Sequence, residues 1–163
     1  MRAHLDDLRR REVEGALDPG LAAARAPLEI GEAQGLVLLR SDGRGWRPRL
    51  AEFADPTSLE CTANKLSMGD LLDPRLTASC PLLLLLAGLL MAERVSAELR
   101  RFEGRFNVIL SYDGESCAVR FHRIREGERW LQSEIEEYDE EGVLAFEAGR
   151  AAGVTRLLAD AAR

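Results

Sequence analysis

The stretch FNVILSYDGESCAVRFH, residues 106–122, decides the fold class of this chain. Two runs rich in β-branched and aromatic residues flank Asp113-Gly114, a dipeptide typical of a two-residue β-hairpin turn. Pairing across such a turn gathers apolar side chains on one face, with Leu110 opposite Cys117, Val108 opposite Val119 and Phe106 opposite Phe121. The sequence therefore predicts an antiparallel hairpin of strands 106–112 and 115–122, with one face turned toward a core.

A long helix is predicted immediately before the hairpin, over about residues 81–103. Pro81 suits the first helical position, where its missing N–H would be unpaired anyway, and Gly104 supplies a C-terminal stop. The apolar run from Leu82 to Ala92 has eleven residues, whereas a membrane span needs about 20. We therefore expect a buried core helix and no membrane association.

Weaker patterns precede this helix. Apolar residues at near-helical spacing predict an N-terminal helix over residues 5–17, and the Ala-rich stretch 21–34 is ambiguous and allows a second short helix. Residues 35–40 and 46–53 are interpreted as two strands around a glycine turn, and residues 59–63 as another short strand.

Further signals lie at either side of the long helix. Residues 67–70 have capping-box spacing, which predicts one turn of helix, and residues 143–146 predict a final strand. The tail 149–163 is expected either to dock as a helix or to fray. Because no repeat or linker divides the chain, residues 1–163 are predicted to form a single α+β domain, with N-terminal helices and the long central helix packed on an antiparallel sheet.

Composition and charge narrow the classes of function. The 163 residues are 46% hydrophobic and 31% charged, as in globular proteins rather than disordered ones. A net charge of −6 disfavours a generic nucleic-acid binder. Residues 1–7 lack the apolar stretch of a signal peptide, and three widely spaced cysteines suit neither a disulfide framework nor a zinc site. We therefore expect a cytoplasmic protein with reduced thiols.

Catalytic chemistry finds little support in the sequence. Cys117 and His122 are five residues apart on one predicted strand, so their side chains lie on opposite faces and do not form a dyad. Cys117 is expected in the core, and His122 on the exposed face beside Arg105. Phosphate-cradling loops and helical Glu-x-x-His ligand pairs do not occur in the sequence. We therefore expect no catalytic residue, no cofactor and no metal site, and interpret the chain as non-enzymatic.

The charge of the chain is concentrated in one acidic segment, residues 126–147. It holds nine acids and one arginine, a net −8, so the rest of the chain carries a net +2. The simplest interpretation is a solvated face. The functional one is a docking surface for a basic protein partner, steered by the acids and anchored by an aromatic ring. The candidate partner-binding residues are Trp130, Glu134, Glu136, Glu137, Tyr138, Asp139, Glu140 and Glu141.

The residues around this segment resemble those of a known class of protein. The phrase FHRIREGERWL, residues 121–131, followed by Glu136-Glu137-Tyr138 and Val143-Leu144, looks like a pattern in small bacterial proteins of the toxin-immunity type. The resemblance covers about residues 105–147. It implies a cytosolic, non-enzymatic protein that protects its producer by binding a cognate toxin, and it carries over no site residues.

These observations leave three functional hypotheses. The leading one is a cytoplasmic binding protein of the immunity type, which neutralises a toxin domain through its acidic surface. The second is a small enzyme or ligand-binding domain, with a pocket between the long helix and the sheet. The third is a self-associating module, in which a second copy covers part of the Leu82–Ala92 run. The sequence is compatible with a monomer or a homodimer.

Overall fold

The computed structural model describes residues 22, 25–40, 50–131 and 141–149. Short 3-10 turns span Leu50–Glu52 and Met68–Asp70. The helices and strands in chain order are β1 (Ile30–Ala33), β2 (Leu36–Leu39), α1 (Pro56–Ala63), β3 (Leu66–Ser67), α2 (Pro74–Ser79), α3 (Leu82–Leu99), β4 (Phe106–Tyr112), β5 (Cys117–Arg123) and β6 (Gly142–Glu147). The N-terminal helix predicted over residues 5–17 and nearly all of the tail 149–163 lie outside the described residues.

The strands form two antiparallel sheets. β1 and β2 pair with each other, and the other four strands form a sheet in the order β3-β5-β4-β6. The helix α3 packs on one face of the four-stranded sheet, which we call the inner face. The predicted α+β class is therefore confirmed, as are the long helix, the hairpin and the final strand.

The helix α3 is the centre of the core. Thirteen of its 18 residues are buried, including every one from Leu82 to Leu89, which explains why its first half is apolar all round. Gly88 lies against the sheet so closely that a Cβ there would be 2.4 Å from Sγ of Cys117. Among the described residues, no helix combines the length and apolar character needed to cross a bilayer.

The register of the hairpin differs by two residues from the predicted one. Tyr112 pairs with Cys117, and Leu110 with Val119, so four residues rather than two form the loop. Asp113 causes the difference, because its Oδ1 accepts hydrogen bonds from the backbone N–H of Glu115 (2.9 Å) and of Ser116 (2.6 Å) and so closes a wider turn. A shift of two keeps every side chain on its predicted face.

Two predictions in the N-terminal half were wrong. Residues 59–63 belong to the helix α1, because Asp55 accepts from Ser58 N at 2.6 Å and Pro56 occupies the first turn. The strand β2 pairs with β1 across Gln34-Gly35, both of which have positive φ. It was predicted to pair with residues 46–53, of which 50–52 form a 3-10 turn and 46–49 lie outside the described residues. The turn predicted over residues 67–70 is confirmed as the 3-10 turn at Met68–Asp70.

Two buried side chains, Glu60 of α1 and Asn64 directly after this helix, join the two sheets, and we call them the Glu60–Asn64 junction. Glu60 accepts from the backbone N–H of Val37 on β2 (2.9 Å) and of Arg123 on β5 (2.7 Å). Asn64 accepts from Leu39 N at 2.8 Å, and its Nδ2 donates to the carbonyl oxygens of Val37 and Phe121. These side chains take the place of a missing strand between β2 and the end of β5, so the backbone groups there stay paired.

Candidate functional site

The face of the four-stranded sheet opposite α3, the outer face, holds the candidate site. Alternation along the three longer strands sets its composition. Cross-strand pairs place His122 beside Asn107 and Arg120 beside Ile109, and on the other side of β4 they place Glu147 beside Asn107 and Ala145 beside Ile109. Unlike the leucine-rich inner face, this face carries both polar and apolar side chains.

Two depressions open on the outer face, on either side of the segment that follows β5. The larger, the His122 depression, has a volume of about 580 Å³ and is lined by residues that include Asn107, His122, Glu128, Trp130 and Glu147. The smaller, the Arg120 depression, has a volume of about 240 Å³ and is lined by residues that include Ser111, Arg120, Trp130, Glu141 and Val143. Trp130 and Leu131 border both.

His122 lies at the base of the larger depression and is only 6% exposed. The expectation that it lies exposed beside Arg105 was therefore wrong, because residues after β5 fold back beside the sheet. Burial lowers the pKa of the imidazole below its ordinary value of 6.5, so the ring is neutral at pH 7. Its Nδ1 lies 2.9 Å from the carbonyl oxygen of Arg123, and since a carbonyl can only accept, Nδ1 carries the hydrogen. Nε2 of the neutral ring is therefore an acceptor.

Trp130, the aromatic anchor proposed from the sequence, is 39% exposed and stands between the two depressions. Glu141 is half-buried and lines the smaller one. The structure thus brings these two candidate residues together on the outer face. The other six lie outside the described residues: Glu134, Glu136, Glu137, Tyr138, Asp139 and Glu140.

Ion pairs and backbone contacts hold the walls of the larger depression. Oε2 of Glu128 accepts from Thr57 N at 3.0 Å, which ties the segment after β5 to the start of α1. Arg105 donates two hydrogen bonds to the carboxylate of Glu147, at 2.7 and 2.8 Å. Beyond this wall, Arg125 pairs with the buried Glu60 of the junction. The site is therefore supported by contacts from three parts of the chain.

The thiols of Cys61 and Cys117 are both buried. Cys117 lies on the inner face against α3, whereas His122 lies on the outer face, as the odd spacing predicts. Burial raises the pKa of both Cys61 and Cys117 to about 12, so both are protonated at neutral pH. Within the described ranges, no group of three or more His, Cys, Asp or Glu side chains is placed to hold a metal ion.

Comparison with known proteins identifies the family of this chain. A family model described as the Uncharacterized protein PM0498 family matches residues 8–155. The chain belongs to this family. No curated protein and no solved structure matches it. None of these findings bears on the resemblance to toxin-immunity proteins.

The site of this PM0498-family protein differs in place from the pocket considered in the sequence analysis. The interface between α3 and the inner face is filled by buried side chains such as Leu85, Leu89, Val108 and Leu110, and both described depressions lie on the opposite face. Sequence reasoning selected Trp130 but missed Asn107, His122, Glu128 and Glu147 as neighbours. The pairing of Asn107 with His122 was in principle readable from the hairpin, whereas the return of residues 128–131 to the sheet was not.

Proposed function

We propose that this protein is a non-enzymatic binding protein that receives a basic protein partner on the outer face of its sheet. Protection against a cognate toxin, as the resemblance of residues 105–147 implies, is the specific form that we favour. The observation that carries the proposal is the position of Trp130, which is 39% exposed between two depressions and lies within the acidic segment.

Charge and packing would act on different steps of binding. The net −8 of residues 126–147 would attract a basic surface over a distance comparable to the Debye length and raise the association rate. Once the partner has docked, an aromatic ring flanked by depressions can be buried by complementary side chains, and such residues dominate binding energies. The acids would therefore govern association and Trp130 dissociation.

The test begins with isolation of the partner. The protein is used as bait in extracts of its native cell, and a basic protein that binds in a 1:1 complex is purified for kinetic measurements. Replacing Glu136 and Glu140 with lysine should then slow association and flatten its dependence on salt, because it removes charge from the steering surface. Trp130→Ala should speed dissociation.

A matched control carries the same change of charge elsewhere. Glu52 and Asp70 are exposed acids outside the acidic segment, so their double reversal to lysine should change association much less. If both double reversals slow association equally, the association rate depends only on the net charge of the protein, and the acidic segment is not the binding surface. If neither Trp130→Ala nor the Glu136 and Glu140 reversals change the kinetics, the proposal is wrong.

The volume of the His122 depression favours a second candidate function. At about 580 Å³ it lies within the range of small-molecule sites, so a ligand-binding domain or small enzyme could use the same face. Native mass spectrometry of protein purified from its own cell distinguishes the two. A retained small molecule that Trp130→Ala releases would favour this second function over protein binding.

A further inference from the structure

We propose that the His122 depression is a pocket for an arginine side chain. This inference rests on the proposed function, because it names the group of the basic partner that the outer face takes. The depression combines a buried neutral acceptor at its base, carboxylates in its walls and an exposed aromatic ring at its rim. A planar cation with several N–H donors matches all three.

The base of the pocket accepts hydrogen bonds. Because Nδ1 of His122 donates to the carbonyl oxygen of Arg123, Nε2 is the ring atom that can receive a donor from a ligand. The histidine is only 6% exposed, and it lines the depression, so a ligand there can reach the ring. Asn107, its cross-strand neighbour, lines the same depression and offers a side-chain amide oxygen.

The walls favour a cation over an anion. Among the described residues, Glu128, Glu147 and Arg129 line the depression. Arg105 already pairs with Glu147, so Glu128 is the carboxylate on which the preference for a cation depends. The hydrogen bond from Thr57 N engages only Oε2 of Glu128, and a carboxylate has about four acceptor positions. An anionic ligand would find an acceptor rather than a donor at Nε2 of His122 and would lie beside the carboxylate of Glu128.

The rim distinguishes arginine from lysine. Trp130 presents an exposed indole, and a guanidinium both stacks on such a face and is less strongly hydrated than an ammonium group. The acceptors come from two strands and from the segment after β5, and the fork of five N–H donors of arginine can bond to several acceptors at once. The same chain already shows this type of contact, since Arg123 lies over the ring of Phe106 at 5.4 Å.

The experiment uses the full chain without its partner. The background carries Trp46→Phe and His4→Gln, so that Trp130 and His122 are the sole tryptophan and histidine. The probes are the blocked tripeptide Gly-Arg-Gly and its analogues with lysine or citrulline in place of arginine. Binding is followed by Trp130 fluorescence and by the 15N shift of Nε2 in His122.

The arginine peptide should give one saturation curve by both signals, in the millimolar range typical of a single side chain. Citrulline keeps the shape but lacks the charge, so we expect it to bind at least about tenfold more weakly, with lysine in between. Glu128→Gln keeps an acceptor for Thr57 and should weaken arginine binding several-fold. The matched control Glu115→Gln, in the exposed hairpin loop, should leave it unchanged.

Lower pH should also weaken binding, because protonation turns Nε2 of His122 into a donor and adds a positive charge beneath the guanidinium. The charged groups that face or surround this ring are Glu128, Arg129, Glu147, Glu60 and Arg125. A loss of affinity between pH 7 and 5 that follows the 15N shift of Nε2 would arise at the histidine.

Several results would overturn the inference: no change of either signal, equal binding of citrulline and arginine, or tighter binding of acetate than of the arginine peptide. The outcome is separable from that of the proposed function. If the arginine peptide does not bind while the Glu136 and Glu140 reversals still slow the association of a protein partner, the arginine pocket is wrong and the proposed binding face is retained. If the peptide binds as expected but no basic protein does, the pocket stands and the protein-partner proposal falls.

Discussion

The guanidinium of Arg125 donates two hydrogen bonds to the fully buried carboxylate of Glu60, from Nη1 to Oε2 at 2.9 Å and from Nη2 to Oε1 at 2.8 Å. The same two oxygens also accept from the backbone N–H groups of Arg123 and Val37. Four donors thus satisfy one buried charge, and hydrogen bonding to Glu60 raises the pKa of Arg125. The contact joins α1, β2 and the segment after β5.

Removal of this carboxylate should therefore destabilise the whole fold. Glu60→Ala leaves a largely buried arginine and two backbone N–H groups without their acceptor, and we expect a loss of about 3–5 kcal/mol in the free energy of unfolding, measured by urea denaturation. Glu98→Ala breaks the exposed pair with Arg101 and should cost less than about 1 kcal/mol. Equal costs for the two variants would contradict the structural role given to Glu60.

The close approach of α3 to the sheet predicts the effect of a single methyl group at Gly88. Alanine favours a helix by about 1 kcal/mol over glycine, yet its Cβ would lie 2.4 Å from Sγ of Cys117 and 3.1 Å from Cδ1 of Leu110. Overpacking of this kind costs about 1–3 kcal/mol, so Gly88→Ala should lower stability. Cys117→Ala removes the clashing sulfur. The double variant should therefore be more stable than the sum of the two single changes indicates, and strict additivity would show that the contact is absent.

Thiol reactivity should separate the three cysteines. Cys61 and Cys117 are buried with pKa values raised to about 12, whereas Cys80 is half-buried. With an aromatic disulfide reagent at pH 8 we expect one thiol to react quickly in the native protein and all three after denaturation. Cys80→Ser should abolish the fast reaction. Fast labelling that survives this change would place a reactive thiol elsewhere.

Stability should fall as the pH drops below 6.5. Burial lowers the pKa of His122 in the folded protein below its ordinary value of 6.5, so as the pH falls the unfolded chain is protonated before the folded protein. The contribution of neutral His122 to the free energy of unfolding is therefore complete above pH 6.5. It decreases as the pH falls from 6.5 toward the lower pKa of the folded protein. Asp55 and Asp113, whose pKa values are also lowered by hydrogen bonds, affect the free energy of unfolding only near and below pH 3.8.

His122→Asn should remove the dependence of the free energy of unfolding on pH between pH 7 and 5, and His4→Gln should keep it. A slope unaffected by His122→Asn would assign it to another group.

The long helix, the hairpin strands and the final strand were predictable because each depends on local pattern. The eleven-residue apolar run from Leu82 to Ala92 predicts a buried helix, and the β-branched and aromatic residues on both sides of Asp113-Gly114 predict a hairpin. The helix α1 was equally local and was missed, since residues 59–63 were interpreted as a strand and the Asp55-Pro56 start signal was not used. The same signal at Asp73-Pro74 begins α2. The exact hairpin register depended on the Asp113 side chain, which the Asp-Gly dipeptide alone does not reveal.

The candidate site was predictable only in part. Trp130 and Glu141 could be selected as members of an acidic segment, because charge and aromatic content are visible along the chain. The pairing of Asn107 with His122 could be read from the hairpin, but their position beside Trp130 could not, because it depends on the segment after β5. Whether His122 faced water or protein depended on where residues 128–131 lie after β5.

For this protein, the order of the residues by itself determined the α+β class, the buried long helix and the concentration of negative charge between residues 126 and 147. These features arise from periodicity and composition, which act between near neighbours in the chain. Only the tertiary structure decided that Glu60 and Asn64 join two sheets, that His122 is buried, and that Trp130 stands between two depressions. Each of these depends on hydrogen bonds or burial between residues far apart in sequence, such as the 63 positions that separate Glu60 from Arg123, and no local pattern encodes such contacts.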